Sequence, residues 1–311
     1  MSKILVTGGA GFIGSHMVER LLAGGNKITV IDNFNDFYDP TIKGNNLKAA
    51  LEHENFELVQ GDIRNGADIK RVFESGPFDK IVHLAAMAGV RPSIENPALY
   101  MDVNVLGTQN LLDASLAQSK LPLFVFASSS SVYGERQGDS FKESDRTDRP
   151  ISPYAASKMS GEMICHAAHK NNRLDVVGLR FFTVFGPRQR PDLAIYKFCR
   201  LIDEGEPIEV YGDGSTRRDY TYIKDIVDGV VKAMNLKKPG FEIINLGRSE
   251  PVILSDMISA IETSLGKKAK IISKPMQKGD VPNTFACIEK AEALLGYRPR
   301  TGLREGIDAF V

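Results

Sequence analysis

Tyr154 and Lys158 stand four residues apart, in Tyr-Ala-Ala-Ser-Lys. On a helix this spacing puts a phenol and an ammonium on one face. A nearby cation favours the phenolate and lowers a tyrosine pKa. The phenol then becomes usable as a general base toward a hydroxyl near neutral pH. The pattern alone is common, and an ordinary surface pair reads the same way. It gains weight from Ser128-Ser129-Ser130-Ser131, which follows the apolar run Leu123-Phe-Val-Phe-Ala127. Such a run reads as a parallel strand buried on both faces. The hydroxyls therefore stand at the carboxyl end of a strand, where open α/β sheets bind ligands. A flexible serine loop is the alternative, but such loops rarely leave a buried strand directly.

A second constellation lies at the N-terminus. Gly9-Ala10-Gly11-Phe12-Ile13-Gly14, with Gly8 just before it, fits the dinucleotide fingerprint. The context matters more than the string. It follows the strand-like residues 3–7, opens a helical pattern over 12–23, and precedes a second strand, 27–31, that runs into Asp32. Glycines permit the tight turn and let backbone approach a pyrophosphate. The helix N-terminus supplies free N–H groups and partial positive charge. Asp32 can accept hydrogen bonds from both ribose hydroxyls and would repel a 2′-phosphate, which favours NAD over NADP. Asp62, in Gly61-Asp62-Ile63, ends a third strand at the same edge. It either meets adenine or caps the helix that follows.

The elements that must position these groups alternate. Strands are expected at 56–60, 80–84, 123–127 and 175–180, and helices at 65–75, 97–118 and 153–170. This order predicts a Rossmann-type doubly wound α/β sheet. After residue 181 proline and glycine become frequent and the repeat loosens. Helices remain plausible at 193–204, 224–236, 254–265 and 289–295, with short strands near 208–211, 243–246 and 269–273. The expected division is 1–180 for the dinucleotide and 181–311 for a smaller α/β substrate domain, with part of 220–247 packing back onto the first. A length of 311 residues suits two such units.

Composition excludes other classes. Lys plus Arg and Asp plus Glu each total 39, so the formal charge is zero and no basic tract marks a nucleic-acid binder. A hydrophobic fraction of 42% argues against disorder. No apolar run reaches the roughly 20 residues of a membrane span, and the N-terminal residues do not read as a signal peptide. Cys165, Cys199 and Cys287 are too few and too scattered for a disulfide framework or metal cluster. His83 and His166 read as structural, with no metal-ligand spacing around them. The expectation is a cytoplasmic protein without a metal.

The ordered motifs resemble those of the extended short-chain dehydrogenases/reductases, the NAD-dependent nucleotide-sugar epimerase/dehydratase family. They are Thr7 to Gly14, Leu84-Ala85-Ala86, Asn104-Val-Leu-Gly-Thr108, Ser128 to Gly134, Tyr154 to Lys158, Arg180 to Pro187 and Arg218-Asp219-Tyr220. The chain is also similar to UDP-glucuronate 4-epimerases through Asp32 to Tyr38 with Lys43, Ala88-Gly-Val-Arg91, Arg180 to Pro187, Arg190 to Ala194 and Gly279-Asp-Val-Pro282. The resemblance implies that Tyr154 removes the proton of the sugar 4-hydroxyl. Lys158 holds the nicotinamide ribose and tunes Tyr154, and Ser129 bonds the same hydroxyl and relays its proton. Hydride passes from C4 to tightly held NAD and returns to the other face of a rotated 4-keto sugar, so NAD is regenerated each cycle. It also implies that Gly8, Gly11, Phe12, Ile13, Gly14, Asp32, Asn33, Lys43, Asp62, Ile63, Leu84, Ala85 and Ala86 line the cofactor site. Homodimers are usual in the family, through helices such as 97–118 and 153–170.

Departures from sister enzymes select among reactions. The family's 4,6-dehydratases carry an Asp-Glu pair after the hydroxyl residue; here Ser130 and Ser131 offer no acid. Decarboxylases usually show an acidic residue in this loop. Enzymes that also epimerise C3 and C5 use a Cys/His pair near it, whereas Cys165 lies beyond Tyr154. A UDP-sugar needs arginines for its diphosphate: Arg190, Arg217 and Arg218 are candidates. The resemblance assigns the role to Arg218, leaving Arg217 a solvated neighbour. It places Tyr211 against uracil and Asp280 near ribose. Thr183 stands where glucose epimerases usually carry asparagine. Its hydroxyl, with Ser130, can donate to a C5 carboxylate; Arg91 is a second candidate partner. UDP-glucuronate is therefore the expected substrate, with UDP-glucose or UDP-N-acetylglucosamine and a decarboxylase as alternatives.

Overall fold

The computed structural model describes residues 1–135, 140–275 and 283–311. Seven strands form the central sheet: β1 (Lys3–Thr7), β2 (Lys27–Asp32), β3 (Phe56–Gln60), β4 (Lys80–His83), β5 (Leu123–Ser129), β6 (Val176–Phe181) and β10 (Phe241–Leu246). Their order is β10-β6-β5-β4-β1-β2-β3, and every neighbouring pair is parallel. The order reverses between β1 and β4, which opens a crevice at their carboxyl ends.

The two-residue period of a strand deals its side chains to opposite faces. Ile4, Val6, Val30, Val82 and Val125 enter one core, with Met17, Val18 and Leu21 of α1 (Phe12–Ala23). Leu5, Ile31, Ile81, Phe124 and Phe126 enter the other. There they meet α3 (Gly66–Glu74), α6 (Gly107–Leu116) and α7 (Pro153–Asn172). The remaining elements of this half are α2 (Pro40–Leu51), α4 (Val90–Glu95) and α5 (Pro97–Met101).

Residues beyond 181 build two further sheets. β11 (Pro251–Ile253), β9 (Arg217–Tyr222) and β7 (Thr183–Phe185) form one; β12 (Lys270–Lys274) pairs in parallel with β8 (Pro207–Tyr211) in the other. The helices α8 (Ala194–Glu204), α10 (Leu254–Leu265), α11 (Glu289–Leu295) and α12 (Leu303–Asp308) accompany them, while α9 (Ile223–Ala233) packs against α1. No helix among the described residues is long and apolar enough to cross a membrane.

Three local differences from the sequence reading bear on the site. The expected helix over 97–118 is interrupted by a π turn at Asp102–Leu106. Helix α2 was not foreseen: it carries a central Gly44 and buries Lys43 and Asn46 beside Leu47 and Ala50, which blurs an apolar period. Its start was legible, since Asp39 accepts from Thr41 N and Pro40 opens the helix. Strand β9, Arg-Arg-Asp-Tyr-Thr-Tyr, is too polar to read as a strand, yet Asp219 and Thr221 are fully buried.

Candidate active site

The crevice is a cavity of about 660 Å³. Its floor at the N-terminus is the glycine turn. Gly8 adopts φ +70, and a Cβ there would lie 2.8 Å from the Ala85 backbone. A Cβ on Gly14 would meet the Gly8 carbonyl oxygen at 2.1 Å. Glycine is thus enforced at both positions by close backbone approach. Helix α1 begins at Phe12 with no side-chain cap and no acidic residue in its first turn, so no side chain neutralises the positive end of its dipole at the cavity wall. Gly11, Phe12 and Ile13 line the same wall.

Asp32 ends β2 at the cavity edge and is buried. It accepts from Phe34 N at 2.9 Å and Ala10 N at 3.1 Å. Burial raises its pKa, against the lowering effect of these N–H groups and of Lys43. Lys43 is itself buried, donating to Asn35 O at 2.8 Å and lying over the Tyr38 ring. Asn33 donates to Asp62 at 2.9 Å. Asp62 also pairs with Arg64 at 2.7 Å, and those bonds pull its pKa to about 2. It does not cap α3; Asn65 does, accepting from Ala67 N and Asp68 N. Of the two readings of Asp62, the helix cap is therefore excluded. Ile63, Leu84, Ala85 and Ala86 line the cavity beside it.

At the other end, β5 delivers Ser129 and the turn Ser130–Tyr133. Ser152 caps α7 by accepting from Ala155 N, and Pro153 opens the helix. This places Tyr154 in the first turn, where the helix dipole favours an anion. Ser129, whose Oγ accepts from Ser131 N at 3.2 Å and Ser131 Oγ at 3.0 Å, lies near the Tyr154 phenol, and Lys158 lies one turn further along, donating to Ala127 O at 2.8 Å. The expected lowering of Tyr154 by Lys158 is not found. Burial raises the phenol pKa, and the opposing influences are the Ser129 hydroxyl and the Arg190 guanidinium. Burial likewise pulls Lys158 down to about 8. The reason is geometric: the lysine points to the strand end rather than to the phenol.

The residues expected on the substrate side come largely from the second half. Thr183 opens β7, Tyr211 ends β8, and Arg218 lies on β9; all line the cavity with Ser130, Arg91 and Arg190. Arg91 stacks on the Tyr211 ring at 5.2 Å. Arg190 makes a two-pronged pair with Asp192, at 2.9 and 2.7 Å, and lies over Phe37 at 5.1 Å. Arg217 is exposed and outside the cavity wall. Asp280, with Gly279-Asp-Val-Pro282, lies outside the described residues.

The π turn supplies a brace that sequence reasoning did not name as such. Asn104 accepts from Met87 N at 2.8 Å and donates to Met87 O and to Ser157 Oγ, both at 2.9 Å. Thr108 donates to the Asn104 carbonyl at 2.6 Å and lies 2.8 Å from His83 Nε2; Thr7 Oγ1 meets His83 Nδ1 at 2.7 Å. His83 is neutral, its pKa pushed to about 3 by burial, and structural. His166 packs edge-on against Phe241.

A family model described as GDP-mannose 4,6 dehydratase matches residues 5–310. The chain belongs to that family, within the extended short-chain dehydrogenases/reductases. The chain is 42% identical over 312 residues to a UDP-glucuronate 4-epimerase of Thermodesulfobacterium geofontis, covering 100% of this chain and 95% of the relative. It is 42% identical over 324 residues to UDP-glucuronate 4-epimerase 3 of Arabidopsis thaliana, covering 99% of this chain and 75% of the relative. The solved UDP-glucuronic acid 4-epimerase of Bacillus cereus, in complex with UDP-glucuronic acid and NAD, superposes with a TM-score of 0.94 at 39% identity. That match covers 99% of this chain and 97% of the other. Directly after Ser129 the chain has Ser130 and Ser131, neither of them an acid.

Proposed function

We propose that the chain is an NAD-dependent epimerase that inverts C4 of a UDP-sugar, converting UDP-glucuronate to UDP-galacturonate through a transient 4-keto sugar. The observation that carries this is the meeting of Tyr154, Ser129 and Lys158 in one cavity with the glycine turn, Asp32 and Arg218. The glycine turn fits a pyrophosphate, because side chains are excluded there and the α1 N–H groups are uncapped. Asp32 suits a ribose diol, while Asn33, Lys43, Asp62, Ile63 and Leu84 to Ala86 shape the adenosine and nicotinamide ends. When bound, the nicotinamide supplies reversible hydride exchange at C4.

Tyr154 would accept the 4-hydroxyl proton in its phenolate form, which the positive charge of a bound oxidised nicotinamide would favour against burial, and Ser129 would hold the same oxygen in line. Lys158, held at the Ala127 carbonyl, would bind the hydroxyls of the nicotinamide ribose. Arg218 meets the diphosphate, Tyr211 the uracil, and Thr183 and Ser130 the C5 carboxylate, with Arg91 a second partner; Asp280 is assigned to the uridine ribose. Residues 1–180 carry the cofactor and 181–311 the sugar nucleotide, with β10 returning to the first sheet. A homodimer belongs to the same reading. Exposed apolar side chains, Met101 just before the π turn, Leu106 at its end and Met163 on α7, support it, since these elements pack together. So does a cytoplasmic location, with three free, buried cysteines suited to a reducing compartment.

The test is incubation of purified protein with UDP-glucuronate and no added NAD. UDP-galacturonate is the expected product; carbon dioxide and a UDP-pentose would support a decarboxylase instead. A higher specificity constant for UDP-glucose would overturn the carboxylate assignment. Tyr154→Phe is expected to lower kcat by about 100-fold or more while the fold survives.

A further inference from the structure

Behind the serine turn lies a buried polar cluster that the steps above do not use. Ser128 on β5, Arg180 on β6 and Asn245 on β10 are register partners across three adjacent strands. Their side chains therefore leave the sheet on one face. Glu162 of α7 meets them there. Ser128 Oγ donates to Glu162 Oε1 at 2.5 Å, and Arg180 donates from Nε at 2.9 Å and from Nη2 at 2.8 Å to the two carboxylate oxygens. The Arg180 guanidinium also lies 4.7 Å from the Tyr133 ring centroid. Tyr133 donates to Asn245 Oδ1 at 2.7 Å. All five side chains are buried.

The cluster grips the turn at both ends. Ser128 immediately precedes Ser129, and Tyr133 closes the turn that Ser130 begins. It also ties that turn to the helix of the general base. Tyr154, Lys158 and Glu162 recur every four residues, so they form one stripe along α7. Lys158 bonds Ala127 O while Glu162 takes the Ser128 hydroxyl, so consecutive residues of β5 are fastened to consecutive turns of the helix.

A buried ion pair is a weak source of net stability, because desolvating both charges offsets their attraction. Apolar packing would hold strand and helix equally well. It could not bond the Ser128 hydroxyl and seat the Tyr133 ring at once. We propose that Glu162 and Arg180 are positioning residues, a clamp that sets the register of Ser129 against Tyr154. The proposal deepens the epimerase reading and rests on it for its kinetic test. A misplacement of about 1 Å can cost about 100-fold in rate, so such a clamp has a kinetic effect out of proportion to its stability.

Two variants test it. Glu162→Gln keeps the shape but removes the charge that Arg180 and Ser128 address; Ser128→Ala deletes one hydroxyl. In the holoenzyme with UDP-glucuronate, kcat is expected to fall about tenfold or more in Glu162→Gln and about threefold in Ser128→Ala, with KM within about twofold and co-purified NAD unchanged. The double variant is expected to be no slower than Glu162→Gln, since Ser128 acts through Glu162. A readout independent of turnover is the Tyr154 ionisation, followed by ultraviolet difference against Tyr154→Phe. Displacing Ser129 removes a hydroxyl whose proximity lowers the phenol pKa, so the midpoint should rise in both variants. Wild-type kcat in both variants, a kcat loss that merely tracks lost NAD, or an unmoved midpoint overturns the proposal. If Glu162→Gln does not fold, Ser128→Ala decides by the same measurements. A wild-type protein inactive on UDP-sugars defeats the epimerase reading, and the Tyr154 midpoint then judges the clamp alone.

Discussion

Lys158 shows what a site residue costs its fold. Burial moves its pKa from 10.5 to about 8, with the field of Cys165 only partly opposing. Below pH 8 the ammonium is charged in both folded and unfolded chains, and the folded chain bears the full desolvation. Between about 8 and 10.5 the unfolded chain holds the proton more firmly, so stability rises with pH there. Above that range both states are neutral and the penalty is gone. Lys158→Met is therefore expected to raise Tm by a few degrees at pH 7, with the gain vanishing near pH 10.5, while activity is lost. Thermal melts at pH 7 and 10.5 check this; a lower Tm at pH 7 would mean that the Ala127 bond outweighs desolvation. Tyr154 and Lys158 were legible as a pair from spacing alone. Their mutual electrostatics were not, because spacing does not say which way a lysine points.

Among the elements, the glycine turn and α1 were readable because local sterics and a clean apolar period agree. Gly14 has no room for a methyl group against the Gly8 carbonyl. Gly14→Ala is expected to displace the α1 N-terminus and weaken NAD binding about tenfold or more. NAD released from the denatured protein measures it; wild-type occupancy would contradict the pyrophosphate assignment. Helix α2 and strand β9 were not readable, since both bury polar side chains whose partners are distant in sequence. Asn46 donates to the Ala10 carbonyl, and Asp219 accepts from the backbones of Arg248, Ser249 and Ala286. The π turn was hidden for a similar reason: its extra residue lets Asn104 brace Met87 and Ser157, and an apolar period carries no trace of that.

At the scale of the molecule, the strand order decides where the chemistry sits. The reversal between β1 and β4 makes one crevice, and every described residue expected at the site lines it. The proposed homodimer makes its own prediction. Wild-type protein is expected to sediment as a dimer, and Met163→Glu or Leu106→Glu as single chains of 34.2 kDa; variant dimers that persist would place the interface elsewhere, and a monomeric wild type would overturn the dimer. A zero net charge argues against a general polyanion binder, and the proposed function agrees with that, since it would meet anionic groups with a helix terminus and a few arginines rather than a field. The sequence by itself determined the alternating fold, the glycine turn, the acceptor at Asp32 and the hydroxyl, phenol and ammonium at the other end of the cavity, because each follows from local period or short spacing. Only the tertiary structure decided which of these groups touch. It turned Lys158 to Ala127, closed Arg190 onto Asp192, and set Glu162 between Ser128 and Arg180, since burial and long-range partners, not neighbours in the chain, fix the direction of a side chain.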